Sequence, residues 1–208
     1  MSEITFYTNP QSRGRIVHWL LEELKLPYTI EWIEYGEQMK GAEYLAINPM
    51  GKVPAIKHNS AIVTEAAAIC TYLASSFPEQ GLIPAQDDPR RADFYRWMFF
   101  ASGPMEMAMT AKSNGWEVAD DKRASVGFGS YDETLATLEL ALGNGPFICG
   151  DQFTATDVYL GAGLQFGMLF GTLEKRAVFE EYVNRLQARP AALRALQINE
   201  ERMKSQQS

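Results

Sequence analysis

The stretch Asn48-Pro49-Met50-Gly51-Lys52-Val53-Pro54-Ala55-Ile56, with Glu65 nine residues further on, limits most sharply what this chain can fold into. Two prolines bracket a glycine turn, and the second falls where its neighbours read as a strand. A proline there removes a ladder donor and confines the segment to an edge or an irregular position. The residue before it, Val53, is pushed into the extended region, so its amide and carbonyl can face outward and pair with an extended peptide. Whether the Val53–Pro54 bond is cis is not written in the sequence, since only about 5–6% of such bonds in folded proteins are. Ile62-Val63 reads as a second strand, and Thr64-Glu65 opens a helix through Ala66-Ala67-Ala68-Ile69-Cys70-Thr71-Tyr72-Leu73. A carboxylate at a helix start beside an open strand edge suits a small zwitterionic peptide.

Around this motif, residues 1–76 alternate short strands and helices. Ile4-Thr5-Phe6-Tyr7 is a strand, Asn9-Pro10-Gln11-Ser12 a turn, and Arg13 to Lys25 a helix whose Ile16, Val17, Leu20, Leu21 and Leu24 share one face. Tyr28 to Ile33 reads as strand and Ala42 to Ile47 as a short helix. Residues 77–89 collect prolines and polar residues, the composition of a linker. Residues 90–208 show only helical patterns, at about 90–114, 121–142, 154–171, 175–188 and 190–204. Thr154-Ala155-Thr156-Asp157 has capping-box spacing with Asp in place of Glu or Gln. The uncharged run Val158 to Thr172 carries Gly163, Gly167 and Gly171. It is too short and glycine-rich for a membrane span and reads as a buried central helix.

A net charge of −7 repels polyanions, and Lys and Arg are dispersed, which argues against nucleic acid as a partner. The opening residues lack the basic and apolar pattern of a secretory leader. Cys70 and Cys149 are the only thiols and have no metal-ligand spacing. These features lead to the expectation of a cytoplasmic protein without metal, disulfide or membrane anchor. His18 and His58 show no partner pattern for general base catalysis.

The segments Asn48 to Ala55 and Tyr7-Thr8-Asn9-Pro10-Gln11-Ser12-Arg13-Gly14-Arg15 resemble the cytosolic glutathione S-transferase family, in its bacterial, serine-loop form. The resemblance implies a thioredoxin-like N-terminal domain (βαβαββα, 1–76), a linker (77–89) and an all-helical C-terminal domain (90–208) contributing a hydrophobic electrophile site. It implies glutathione as co-substrate, a homodimer and a detoxifying role. A free thiol has a pKa near 8.5, and the thiolate is the nucleophile, so the site must favour the charged form. Ser12, just before the first helix, is the first candidate for that task, and Tyr7 at the strand end is the second. As residues alone, without the rest of the pattern, Ser12 reads first as a helix cap and Tyr7 as a core phenol.

By the same resemblance, Val53 before Pro54 pairs its backbone with the cysteinyl moiety. Glu65 meets the γ-glutamyl ammonium, and the amide of Ala66 meets the α-carboxylate. Ala66 replaces the family's usual Ser or Thr, so one hydroxyl donor is absent. Lys40 and Lys52 are candidates for the glycyl carboxylate, and Arg13 for neutralising the site. Met105, Met109 and Trp116, in a methionine- and aromatic-rich segment, are candidates for the electrophile. The expected reaction is conjugation of glutathione to a hydrophobic electrophile. Glutathione-dependent reduction of disulfides or peroxides is one alternative, and a non-catalytic binding or regulatory protein on the same fold is another.

Overall fold

A computed structural model describes residues 3–206. The chain divides into two compact units. One comprises residues up to Gln80 together with those from Ala188 onward, and the other spans Gly81–Gln187.

The first unit begins with strand β1 (Ile4–Thr8), helix α1 (Gly14–Leu24) and strand β2 (Thr29–Trp32), followed by the single-turn helices α2 (Glu37–Lys40) and α3 (Ala42–Leu45). Strands β3 (Ala55–His58) and β4 (Ala61–Thr64) and helix α4 (Ala66–Ser76) complete the N-terminal part. The sheet order is β2-β1-β3-β4, with β1 and β2 parallel and the other two pairs antiparallel. This is the thioredoxin-like arrangement expected, with helices packed on a mixed sheet. The apolar stripe of α1 is buried as its spacing predicts: Ile16, Val17, Leu20, Leu21 and Leu24 are all in the core. Phe6 of β1 and Ile69 and Leu73 of α4 are fully enclosed in the same unit.

Helix α10 (Pro190–Ser205) belongs to this first unit, although its position in the chain placed it with the helical half. Long-range polar contacts account for the difference. Arg189 makes a bidentate pair with Glu23, at 2.6 and 2.9 Å, and Trp19 donates its indole N–H to the same carboxylate. Arg194 pairs with Glu22, and Arg202 with Glu34.

The second unit is helical. Helix α5 (Arg90–Phe100) runs through a π-turn (Ala101–Met105, containing Pro104) into α6 (Glu106–Asn114). Proline cannot donate to the ladder, and the wider turn absorbs the missing bond. Helix α7 (Tyr131–Leu142) starts ten residues later than the periodicity suggests. Only a 3-10 segment (Asp120–Ser125) precedes it, and Gly127 and Gly129 break the path before Ser130 caps the helix, its hydroxyl accepting from the Glu133 amide. Helices α8 (Ala155–Leu169) and α9 (Ala177–Gln187) follow.

Helix α8 is the core of this unit. Asp157, fully buried, reaches back to accept from the Thr154 amide and hydroxyl, and also takes the Ile148 amide and the Tyr182 hydroxyl. The glycines of α8 admit close neighbours: a Cβ on Gly163 would lie 2.6 Å from the Met105 methyl, and one on Gly167 would lie 2.7 Å from the Leu173 Cβ and 2.8 Å from the Met109 methyl. Among the described residues no helix is long and apolar enough to cross a membrane.

Candidate active site

Strand register gathers the motif residues at one end of the sheet. Tyr7 of β1 pairs with Ala55 of β3, which pairs with Thr64 of β4. The turn after β1 carrying Ser12, the Val53-Pro54 pair before β3, and Glu65 after β4 therefore emerge at the same end of the sheet.

The Val53–Pro54 peptide bond is cis. Val53 stands outside the ladder, which begins at Ala55, and among the described residues nothing hydrogen-bonds its amide or carbonyl. Its side chain packs with Tyr7 and Ile47 against Ile33, Met39 and Tyr44. The preceding turn is closed by Asn48, whose Oδ1 accepts from the Met50 amide and whose Nδ2 donates to the Lys52 carbonyl. Gly51 has a positive φ of 56°, and a side chain there would meet Lys40 and the Met39 carbonyl at about 3 Å. Lys40 lies across this turn, donating to the Met50 and Gly51 carbonyls at 3.0 and 2.8 Å. Lys52 is exposed and makes no ion pair among the described residues. Lys40 thus holds the turn, whereas Lys52 makes no side-chain hydrogen bond or ion pair among the described residues.

Glu65 is exposed and has φ 66° and ψ 119°, a conformation that costs a non-glycine residue of order 1–3 kcal/mol. Its carbonyl accepts the first helical bond of α4 from Ile69, and no side chain caps the helix. The first amides of α4, Ala66 included, are left without intrahelical partners, as at any helix start. Two sets of unpaired backbone groups, those of Val53 and the first amides of α4, thus stand at the same end of the sheet as Glu65, whose backbone is strained.

Ser12 lies between β1 and α1. Its hydroxyl donates to the Asn9 carbonyl at 2.7 Å and accepts from the Gly14 amide at 2.9 Å. Arg13, exposed, stands at the N-cap position of α1. The Tyr7 ring is half-buried 6.1 Å from the Tyr44 ring, and its hydroxyl has no hydrogen bond among the described residues. Burial, with the charge of Glu31 adding to it, raises the Tyr7 pKa, so the phenol is protonated at neutral pH.

The remaining sequence candidates lie in the second unit. Met105 is 2% exposed and fills the groove at Gly163, so it is core rather than the ligand contact its segment suggested. Met109 is half-buried against Gly167. Trp116, 58% exposed, offers open apolar surface. Cys70 and Cys149 are both buried; burial drives both thiol pKa values upward, that of Cys149 to about 12. The side chains of Asn9 and Asn48 were not singled out from the sequence, yet each closes an Asn-Pro turn at the site. The repeated Asn-Pro dipeptide was the available signal.

Residues 12–76 match the family model described as the glutathione S-transferase N-terminal domain. Glutathione S-transferase A of Pleuronectes platessa is 33% identical over an alignment of 169 residues that covers 76% of this chain and 73% of that protein. Among solved structures, a glutathione transferase from Methylococcus capsulatus superposes with a TM-score of 0.75 at 26% identity, covering 94% of this chain and 98% of that one. A glutathione transferase homologue from Sulfitobacter, solved with bound glutathione, superposes with a TM-score of 0.72 at 26% identity, covering 93% and 97%. The chain belongs to the glutathione S-transferase family of enzymes.

Proposed function

We propose that this enzyme conjugates glutathione to hydrophobic electrophiles and that Ser12 stabilises the attacking thiolate. The observation carrying the reading is the convergence at one end of the sheet of the Ser12 turn, the unpaired Val53 backbone before cis-Pro54, and Glu65 at the uncapped start of α4. Val53 is free to pair with the cysteinyl backbone as an added strand would. The Ala66 amide meets the α-carboxylate at the helix start, and Glu65 meets the ammonium. The open ammonium of Lys52 serves the glycyl carboxylate, while Lys40 shapes the turn that presents Val53.

Ser12 has one hydrogen, which here rests on the Asn9 carbonyl. Turning it onto sulfur breaks that bond and leaves the Gly14 amide on the oxygen, where it polarises the hydroxyl and strengthens it as a donor. The thiolate then attacks an electrophilic carbon, the new C–S bond forming as the leaving group departs or as charge passes into the electrophile. Positioning and charge stabilisation supply the rate. The chain's own thiols are buried and protonated, so the reacting sulfur is glutathione's. Exposed Trp116 is the candidate for apolar contact with the electrophile. A two-fold dimer in a reducing cytoplasm completes the reading.

The test is thiolate absorbance against pH for the glutathione complexes of wild type, Ser12→Ala and Tyr7→Phe, together with conjugation of an activated aryl halide. Ser12→Ala is expected to raise the thiolate pKa and lower kcat, up to about 10²-fold, while Tyr7→Phe leaves both nearly unchanged. The reverse pattern moves the role to Tyr7.

A further inference from the structure

The turn that carries Ser12 is held by a side chain with no assigned role. Asn9 is 3% exposed at the end of β1. Its Nδ2 donates to the Ile33 carbonyl at 2.9 Å, just beyond β2, where the Ile33 amide also donates to the Thr8 carbonyl at 2.8 Å. Its Oδ1 accepts from the Gln11 amide at 3.0 Å, and its carbonyl accepts both the amide and the hydroxyl of Ser12, at 3.1 and 2.7 Å. One residue thus ties the turn to the sheet, closes it from within and holds the hydroxyl. Pro10 contributes no donor and fixes its own φ, so the turn depends on Asn9 for its anchorage.

The Asn48-Pro49-Met50-Gly51 turn repeats the pattern. Its asparagine is equally buried, its Oδ1 takes the amide two residues on, its carbonyl takes the amide three residues on at 2.8 Å, and its Nδ2 donates to the Lys52 carbonyl. That copy presents no hydroxyl. It separates the general work of an Asn-Pro turn from anything particular to Ser12.

We propose that Asn9 is a positioning residue for the reaction: its side chain locks the turn so that the Ser12 hydroxyl is aimed at the glutathione sulfur. This rests on the reading of Ser12 as the thiolate donor. A purely structural Asn9 would affect stability alone, whereas a positioning Asn9 changes the charge state of bound sulfur.

The experiment compares the glutathione complexes of Asn9→Ala, Ser12→Ala, the double variant and Asn48→Ala by thiolate absorbance against pH and by steady-state conjugation. Asn9→Ala is expected to raise the thiolate pKa by about one unit, a tenfold loss of thiolate stabilisation. It is expected to lower kcat ten- to about a hundredfold, with little change in KM for glutathione. In the Ser12→Ala background the same change should add no further rise in pKa, because residues acting through one another are not additive. Asn48→Ala should alter KM and leave the pKa in place.

An unchanged thiolate pKa in folded Asn9→Ala, or an equal kcat loss with and without Ser12, overturns the inference while the Ser12 reading stands. If Ser12→Ala itself leaves the pKa unmoved, that reading fails and the inference fails with it. Should Asn9→Ala not fold, Asn9→Ser, which keeps a weaker turn bond to the Gln11 amide, carries the same expectation of a raised pKa. No rise there overturns the proposal.

Discussion

Asn199 places its Nδ2 2.9 Å from Nδ1 of His18, joining α10 to α1 inside the first unit. His18 is fully buried, and its Nε2 lies 2.9 Å from the Tyr28 hydroxyl, which donates in turn to Glu22. Tyr28 spends its one hydrogen on that carboxylate, so its oxygen accepts from His18 Nε2–H. Nδ1 therefore holds the lone pair that accepts from Asn199. The imidazole is neutral and committed at both nitrogens.

Acid should loosen this junction. Burial lowers the His18 pKa, against the opposing effects of the Glu22 charge and the Asn199 bond. The unfolded chain takes up a proton below about pH 6.5 that the folded chain refuses, so stability falls as pH drops through that range. Glu22 adds a loss with the same sign at lower pH, because hydrogen bonds from Tyr28 and Arg194 outweigh its burial and hold its pKa down. Urea unfolding at pH 7.5 and 5.5 should show a loss for wild type and a smaller loss for His18→Gln, whose overall stability is lower.

Asp157→Asn should cost about 3 kcal/mol or more, since an amide nitrogen would face groups that donate to the carboxylate. Tyr182→Phe removes one donor of four and should cost about 1–2 kcal/mol. Urea midpoints measured at pH 7.5 check both, and a larger loss for Tyr182→Phe would contradict the assignment.

Glu65 separates stability from binding. Glu65→Gly releases the positive-φ strain and should leave the urea midpoint equal or higher. Glu65→Gln keeps the strain. Both should weaken glutathione binding by about 1.5–3 kcal/mol, the worth of a charged hydrogen bond, as read by calorimetric titration.

Among the glycines of α8, Gly167→Ala should be the costlier change, at about 1–3 kcal/mol, because its new methyl meets the Leu173 Cβ as well as Met109. Gly163→Ala meets only the flexible end of Met105 and should cost less. Thermal midpoints of the two variants give the order.

Local chemistry made the candidate site legible: the break in the ladder at Val53-Pro54 and the carboxylate at the start of α4 follow from their immediate neighbours, whereas the cis geometry of the Val53–Pro54 bond does not. The capping aspartate and the glycine groove of α8 were readable for the same reason. The late start of α7 was hidden because its helical periodicity continues back through Gly127 and Gly129. Met105 was misread because a methionine-rich stripe looks the same whether it faces a ligand or glycines on a neighbouring helix. The place of α10 depends on pairs such as His18 with Asn199, 181 residues apart, which no local pattern encodes.

The return of α10 to the first unit sets an order of completion during synthesis. Residues 81–187 form a contiguous stretch and can fold as soon as they emerge. The earlier-made part stays incomplete, with His18, Glu22 and Glu23 holding only their local partners Tyr28 and Trp19, until Arg189, Arg194 and Asn199 leave the ribosome. The half of the molecule that is translated first is thus the half that finishes last.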